Sequence, residues 1–255
     1  MELSAANTYA GMTTINAGIL KLTGDGSTGT GAVTIAANGT LEFDVAEDQS
    51  KKLTIDSNTI TGAGNIVKSG DGTLQVYSSA EGQVDVNSFV VSSGRLDMKE
   101  YFKGTLEVGK ANEPNSTAVF SPGNSVGTLT IDGDFILNSG ATLLLEQDAS
   151  GMDKLVADSF NIATDSVIEL SISALIPNAT YDVIVQSDGA FSEAQQDPAF
   201  WTNLIDGGLP YYLDLSVING NTVRLHIDAN AVPEPSTWAL ILLGVGGLLL
   251  WRKRK

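Results

Sequence analysis

Apolar and polar residues alternate along much of the first 230 positions, in short runs separated by glycine, asparagine and other turn-forming residues. In one such run Leu41, Phe43 and Val45 alternate with Glu42 and Asp44. A period of two is typical of β-strands that place one row of side chains in a core and the other row in water. The pattern therefore predicts an all-β fold of many short strands joined by tight turns.

A glycine followed two positions later by an aliphatic residue recurs along the first half of the chain, at Gly18, Gly39, Gly72, Gly94, Gly104 and Gly127. Three of the five steps between these glycines are about 22 residues long, a period typical of a solenoid, in which each coil must stack on its neighbours to bury its apolar face. Of the other two steps, the one from Gly39 to Gly72 is longer by about half, and the one from Gly94 to Gly104 is shorter by about half. The small, aliphatic inward row suits such a narrow core. An antiparallel sandwich alternates in the same way, so the alternation alone leaves that fold open.

The pattern of residues changes from about residue 160. We expect residues 1–150 to be β-helix repeats and residues 151–230 to hold the final coils and a β-rich cap. Asp197-Pro198 begins a segment with helical spacing that stops at Gly207-Gly208, which predicts one short helix. Strands on either side of Asn219-Gly220 predict a hairpin that closes the domain.

The C-terminal end has three parts in a fixed order. A proline-containing tether at residues 231–236 cannot continue a strand or a helix. Residues 237–251 are predicted to form a short transmembrane helix, with fourteen uncharged positions from Trp238 to Trp251. The tail that follows consists of Arg252, Lys253, Arg254 and Lys255. Basic residues next to a membrane helix stay on the cytoplasmic side, so this order places the body on the opposite side of the membrane. The alternative interpretation of the apolar segment is a helix buried in the core of a soluble protein.

These three parts resemble the PEP-CTERM sorting signal of exported proteins in Gram-negative bacteria. The sorting motif is carried by Val232, Pro233, Glu234 and Pro235, before the apolar helix and the basic tail. The resemblance implies recognition by an exosortase, a membrane-embedded enzyme that removes the tail and passes the protein to the cell surface or extracellular polymer. A surface protein that keeps its membrane anchor is the unprocessed alternative.

Two stretches of the body resemble the autotransporter-associated β-strand repeat of surface passenger domains. The first runs from Asn7 to Leu41, and the second runs from Phe120 to Phe135 and is followed by an Asp153-Lys154-Leu155-Val156 strand. The resemblance implies a right-handed parallel β-helix that is exposed outside the cell. Residues 1–6 have no basic segment or apolar core of a signal peptide. We therefore expect the chain to be the C-terminal fragment of a longer exported protein, or to begin at a mis-assigned start.

The amino-acid composition limits the ligands that the protein can bind and the catalytic chemistry that it can carry out. The chain has no cysteine, which excludes disulfides, thiolate metal sites and cysteine nucleophiles. Without its last four residues it has 10 basic and 30 acidic side chains, a formal charge of about −20. Such a body repels nucleic acid. A hypothesis that follows is that divalent cations bridge it to an anionic exopolysaccharide.

No motif for a cofactor, a metal or a catalytic triad stands out. The single histidine, His226, lies on the polar side of a strand and is expected to be solvated. The segments Gly24-Asp25-Gly26-Ser27 and Gly70-Asp71-Gly72 lack the further residues of a phosphate or calcium loop and are interpreted as turns. Trp201, Tyr211 and Tyr212 are expected to pack the cap rather than to stack on sugar rings.

Polysaccharide cleavage is the enzymatic alternative. Asp132 and Asp134 project from the same side of one strand, and Asp153 could join them from a neighbouring coil as a set of catalytic carboxylates. Chance pairing of carboxylates is common on an acidic repeat, and only Arg95 and Arg224 occur as arginines before the tail to neutralise a uronate. The sequence therefore favours a non-catalytic structural or adhesive protein without a cofactor.

Overall fold

The computed structural model describes residues 1–55, 59–78, 83–113, 116–123 and 125–228, which form a nearly all-β solenoid of about six turns. Within these ranges the elements are β1 (Glu2–Leu3), β2 (Thr13–Thr23), β3 (Val33–Asp44), β4 (Ser50–Ile55), β5 (Ile60–Thr61), β6 (Asn65–Ser69), β7 (Thr73–Ser78), β8 (Val84–Val91), β9 (Arg95–Val108), β10 (Val119–Ser121), β11 (Thr128–Leu137), β12 (Thr142–Asp148), β13 (Gly151–Met152), β14 (Lys154–Ile162), β15 (Val167–Ile172), β16 (Thr180–Gln186), α1 (Pro198–Leu204), β17 (Leu213–Ile218) and β18 (Thr222–Ile227). The predicted all-β solenoid with one short helix is confirmed, and the sandwich is excluded.

Successive coils pair in parallel and build three stacks of strands along the solenoid. The first stack contains β2, β3, β6, β8, β9, β11 and β14, and the second contains β2, β3, β5, β8, β9, β11, β14 and β16. The third contains β4, β7, β9, β10, β12 and β15. Long strands bend at corners of the coil and so belong to more than one stack; β9 contributes to all three.

Coil length varies more than the sequence period suggested. One inward position of the first stack is occupied in turn by Leu20, Leu41, Ile66, Phe89, Leu106, Phe135 and Phe160. The step from Leu20 to Leu41 equals the predicted one, because Gly18 pairs directly with Gly39. The step from Phe89 to Leu106 is the shortest, and the step from Leu106 to Phe135 is the longest. Gly94 and Gly104 mark two corners of a single coil, because β9 begins at Arg95 and continues to Val108.

The sequence suggested a core of small aliphatic residues, but the core of the structure also contains large aromatic ones. In the later coils a column of aromatic rings runs toward the cap, with centroid distances of 5.7 Å for Phe120–Phe135, 5.8 Å for Phe135–Phe160, 6.0 Å for Phe160–Phe191 and 5.2 Å for Phe191–Trp201. Phe135 and Phe160 are register partners in adjacent coils, whereas Phe120 reaches the column from the third stack and Phe191 and Trp201 reach it from the cap. Ring pairs at such distances pack favourably. The aromatic column links the coils to the cap.

Glycine is required where adjacent coils turn the same corner at close range. Gly104 has φ of 126°, and a Cβ there would lie 2.1 Å from the carbonyl oxygen of Val86. Gly133, in the next coil, has φ of 142°, and a Cβ there would lie 2.4 Å from the carbonyl oxygen of Gly104. Both the backbone conformation and the spacing exclude a side chain at these corners.

The cap closes the C-terminal end of the core. β16 pairs in parallel with β14, and the β17–β18 hairpin continues from it in antiparallel pairing. The predicted helix is confirmed: Asp197 accepts a hydrogen bond from the Ala199 N–H at 2.9 Å, and Pro198 occupies the first turn, as is usual at a helix start. Trp201 on this helix is fully buried. A cavity of only about 10 Å³ remains between the cap and the last coil, lined by Ile168, Trp201 and Leu225 among others, so the two pack closely there.

The predicted packing role of the cap aromatics is right for Trp201 and wrong for Tyr211. Tyr211 is 72% exposed, whereas Tyr212 is half-buried, and their ring centroids lie 5.4 Å apart. The reason is that β17 begins only at Leu213, so both tyrosines lie in the preceding turn outside the sheet.

Candidate functional site

The two carboxylates that share one strand, Asp132 and Asp134, are exposed on β11 but contact different coils. Asp132 Oδ2 accepts a hydrogen bond from the Tyr101 hydroxyl at 3.2 Å, in the preceding coil. Asp134 Oδ1 accepts one from the Ser159 hydroxyl at 2.6 Å, in the following coil. Each carboxylate therefore stabilises the contact between its own coil and a different neighbour.

Asp153 does not join this pair, and the prediction that it could is wrong. Its side chain is fully buried, with Oδ1 accepting from the Gly127 N–H at 2.8 Å and Oδ2 accepting from the Glu146 N–H at 2.9 Å. Burial raises the pKa of Asp153 to about 7, although the two backbone hydrogen bonds act in the opposite direction. Asp153 thus holds together the segments that carry β11 and β12.

A polar cluster that the sequence analysis missed lies on the third stack. Arg95 Nε donates to Asp97 Oδ1, and Arg95 Nη2 lies 3.4 Å from Glu146 Oε2. The Ser121 hydroxyl also donates to Glu146 Oε2, at 3.4 Å. Asp97 is only 3% exposed, and burial raises its pKa while the hydrogen bond from Arg95 acts in the opposite direction. The alternation of Arg95 and Asp97 on one side of β9 was the available signal.

Carboxyl groups with raised pKa values are a common feature of acid–base sites. In the described part of the chain, however, the two such groups are Asp97 and Asp153, which are 3% and 0% exposed. A glycan oxygen would have to come within hydrogen-bond distance of a catalytic acid. Asp153 instead joins the segments around Gly127 and Glu146. Asp97 accepts from Arg95 on its own strand and, at 3.5 Å, from the side-chain amide of Gln75 on β7.

The core of the first stack contains a lysine. Lys68 is fully buried and occupies the inward position between Phe43 of the preceding coil and Val91 of the following coil. Its ammonium donates hydrogen bonds to three backbone carbonyl oxygens: Ser69 at 3.0 Å, Gly70 at 2.6 Å and Ser93 at 2.9 Å. Burial lowers the pKa of Lys68 to about 8, against the attraction of nearby carboxylates. The lysine therefore satisfies the carbonyl oxygens of a corner from inside the coil, while its charge is disfavoured by burial.

The buried lysine should make stability depend on alkaline pH. Because the folded-state pKa of Lys68 is about 8 and its ordinary value is 10.5, the folded state releases this proton first. We expect the free energy of unfolding of the native chain to rise relative to that of Lys68→Met between about pH 8 and 10.5, by at most ~1.4 kcal/mol per pH unit. Urea unfolding of both proteins across this range measures the difference.

The matched control is Lys21→Met. Lys21 is partly exposed, and hydrogen bonds to Glu42 and Asp44 raise its pKa. Its contribution to stability should therefore be lost, not gained, at very alkaline pH. Parallel curves of unfolding free energy against pH for the native chain and Lys68→Met would contradict the assignment of the Lys68 pKa.

The two glycine–aspartate segments interpreted as turns both contact a lysine through their carbonyl oxygens. Lys51 donates to the carbonyl oxygens of Gly26 and, at 3.3 Å, of Gly24; Lys68 contacts Gly70 in the same way. Lys51 lies at an inward register position of β4, which pairs only with β7 among the described residues. An inward charge on an edge strand also discourages pairing with another chain.

His226 lies half-buried on the hairpin beside β16. Its Nδ1 is 3.0 Å from the Thr180 hydroxyl, and the neighbouring Arg224 donates to Asp182 at 2.6 Å. These contacts join β18 to β16 across their antiparallel pairing. Within the described ranges, no three or more His, Asp or Glu side chains are arranged to hold a metal ion.

The described part of the chain ends at the cap. The Asp228 N–H donates to the Tyr212 carbonyl oxygen at 3.0 Å, and Asp228 is the last described residue. The predicted sorting motif Val232, Pro233, Glu234 and Pro235, the segment from Trp238 to Trp251 and the bases Arg252, Lys253, Arg254 and Lys255 all lie outside the described residues. In the described part of the chain no helix has the length and apolar character needed to cross a membrane.

The comparisons with known proteins bear on this C-terminal segment. Residues 231–255 match the family described as the PEP-CTERM protein-sorting motif. The match covers the proline motif, the apolar run and the basic tail, and it begins three positions after Asp228. No curated protein matches the chain. The chain therefore carries a PEP-CTERM signal, which implies export and recognition by an exosortase.

Proposed function

We propose that the protein is a non-catalytic β-solenoid of the cell surface or extracellular matrix, released there after an exosortase removes its C-terminal segment. The observation that carries the proposal is the direct succession, along the chain, of a β-solenoid capped at its C-terminal end and a sorting motif. The folded body extends to Asp228, and the motif match begins at residue 231. The solenoid is therefore the exported body, and the C-terminal segment is the signal that directs its export.

The short connection limits where processing can occur. Pro233 follows Asp228 closely in the sequence. Because an extended chain spans at most about 3.6 Å per residue, the sorting motif begins within about 20 Å of the end of the cap. An enzyme that acts at the motif must work within this distance. Hence the cap is the part of the body closest to the processing enzyme while the tail is attached.

The body's architecture supports a structural role. Coils joined by in-register hydrogen bonds and closed by a cap give a long, regular exterior on which ligands can bind without chemistry. The resemblance of Asn7–Leu41 to the autotransporter-associated repeat agrees with the direct pairing of Gly18 with Gly39. We propose that the body belongs to this class of surface passengers.

Location is the first test of this function. In intact producing cells, an added protease or antibody that cannot enter the cell is expected to reach the solenoid body, in step with a known surface protein. Protection of the body until the cells are lysed, as for a cytoplasmic marker, would contradict the proposal.

Glycan cleavage is expected to be absent. Asp132 and Asp134 are committed to hydroxyl partners in adjacent coils, and the carboxyls with raised pKa values are buried. Incubation of the purified protein with neutral and acidic glycans should yield no new reducing ends and no unsaturated products. Cleavage that is lost in Asp132→Asn but retained in the matched variant Asp165→Asn would show a polysaccharide-cleaving enzyme instead.

An anionic exopolysaccharide is the proposed matrix partner. The body itself is acidic, so we propose that divalent cations hold the two together. Co-sedimentation of the protein with the host's exopolysaccharide should decrease when a chelator is added and recover when calcium is restored. Co-sedimentation that a chelator leaves unchanged would exclude the cation bridge.

A further inference from the structure

Positive charge is concentrated on one part of the solenoid, although the chain as a whole is acidic, with a formal net charge of −16. Before the C-terminal tail the chain has 10 basic side chains, and three consecutive strands of the third stack, β4, β7 and β9, carry four of them: Lys51, Lys52, Arg95 and Lys99. Two of these strands, β4 and β7, contain no acidic residue. Such a local excess of positive charge attracts anions.

Two of these four bases already have partners within the fold. The Arg95 guanidinium donates to Asp97 and lies 3.4 Å from Glu146. The Lys51 ammonium donates to backbone carbonyl oxygens in the turn that follows β2. A ligand that bound either base would have to displace these contacts, so the two remaining lysines are the better candidates.

The two remaining lysines, Lys52 and Lys99, lie over the ring of Tyr77 on the outer side of the stack. Their ammonium nitrogens are 4.7 Å and 5.4 Å from the ring centroid, distances at which an aromatic ring attracts a cation. Tyr77 is the register partner of Lys99, and the inward neighbours Val76 and Met98 are buried in the core. Lys52, Tyr77 and Lys99 thus form one outward surface, the lysine face, which joins side chains of three adjacent coils.

Both ammonium groups of the lysine face can be reached from solvent. Lys52 is exposed, and the side chain of Lys99 is 37% exposed. Lys99 lies 3.7 Å from Glu100, which is itself 57% exposed, and ion pairs between such exposed groups contribute little. Within the described residues Lys52 contacts Tyr77 and forms no ion pair. An anionic ligand can therefore contact both charges without breaking a buried interaction.

The surroundings of the lysine face indicate the kind of anion that it suits. A nucleic-acid duplex has about one charge per 1.7 Å of its axis, and an anionic membrane is charged over a wide plane. Either would also meet the acidic surface of the rest of the body and be repelled by it. A polysaccharide with one carboxylate per sugar residue is narrower and less densely charged, and the long exterior of a solenoid suits such an extended chain.

We infer that the lysine face binds an anionic polysaccharide directly, through the carboxylates of the sugar chain and without a bridging cation. The inference rests on the proposed function, in which the body meets such a polymer outside the cell. It adds to the cation bridge a second kind of contact, which a chelator does not remove.

Binding of the full chain, in mild detergent, to immobilised polygalacturonate tests the lysine face. A chelator is present throughout, so that no cation bridge contributes. Methyl-esterified polygalacturonate has the same backbone without the charge and should bind at least tenfold more weakly. The double variant Lys52→Gln, Lys99→Gln should raise the dissociation constant for polygalacturonate at least tenfold. The control Lys103→Gln, Lys110→Gln removes the same charge from exposed positions elsewhere and should change it less than twofold.

A second pair of variants tests the ring that holds the two lysines. Tyr77→Phe keeps the aromatic face and should bind like the native chain, whereas Tyr77→Leu should weaken binding several-fold. Circular dichroism checks that both variants keep their strand content. Equal binding by the two variants would contradict the role of the ring.

Two results would overturn the inference as a whole. One is a native chain that does not bind polygalacturonate in the presence of the chelator. The other is equal weakening by the two double lysine variants, because the anion would then be held elsewhere, such as at the basic C-terminal tail. Both results would leave the proposed location of the body standing, since protease accessibility in intact cells measures that location separately.

Discussion

Replacement of Pro233, Glu234 and Pro235 by alanine is expected to abolish release of the solenoid from the membrane fraction. The PEP-CTERM match starts at residue 231 and includes this tripeptide, which is the part of the segment that an exosortase would recognise. Proline has no backbone N–H and restricts the residue before it, so the substitution changes the backbone preferences of the motif as well as its side chains. Immunoblots of membrane, surface and medium fractions measure the redistribution.

The matched control for this experiment changes a residue next to the motif but not in it. Asn230→Ala is expected to be released like the native chain. A further variant with glutamine at the four C-terminal bases, Arg252 to Lys255, should fail at an earlier step, because the basic tail sets the orientation of the segment. Normal release of the triple-alanine variant would show that release of the protein does not depend on this motif.

Phe135→Ala is expected to lower the free energy of unfolding by about 3–5 kcal/mol. Phe135 is fully buried in the middle of the aromatic column and contacts Phe120 on one side and Phe160 on the other. Its removal leaves a cavity between coils and interrupts the contact path from the coils to the cap. Urea unfolding followed by circular dichroism measures the loss.

Ile136→Ala is the matched control, since Ile136 lies on the same strand and points to the outer face. We expect it to cost about 1 kcal/mol or less. Comparable losses for Phe135→Ala and Ile136→Ala would mean that the inward row of the first stack is not the core that this structure describes.

Much of the fold could be predicted because local and global signals agree. The alternation at Leu41, Phe43 and Val45 identified the inward row, and the recurrence of glycine identified the stacking of coils. The cap helix was predicted from Asp197 and Pro198, because a capping side chain and a first-turn proline act within a few residues. Signals of this kind do not depend on knowledge of distant contacts.

The register between coils could not be predicted, because it depends on where the chain bends. The coil from Phe89 to Leu106 is short, and the next one, from Leu106 to Phe135, is much longer. The longer coil takes up its extra residues in the connections on either side of β10, between Val108 and Val119 and between Ser121 and Thr128, whereas the register shift between Ile131 and Asp134 adds a single residue. The spacing of glycines alone does not distinguish two corners of the same coil, such as Gly94 and Gly104, from equivalent corners of successive coils, such as Gly18 and Gly39.

The internal polar groups were missed for two different reasons. Lys68 alternates with Ile66 on the inward side of β6, so the strand pattern contained the information, but a charged residue was assumed to face water. Asp153 is buried by segments distant in sequence, through the N–H groups of Gly127 and Glu146, and no local pattern indicates this. Both groups show that the solenoid satisfies backbone groups near its corners with buried ionisable side chains.

The mass of the mature C-terminus tests the central claim most directly. Surface or matrix material from the native host is purified, and its C-terminal peptide is identified by mass spectrometry. We expect a terminus close to Pro235 and no peptide that contains Lys255. An intact Lys255 on surface-exposed protein would contradict removal of the segment and would indicate a permanently anchored protein.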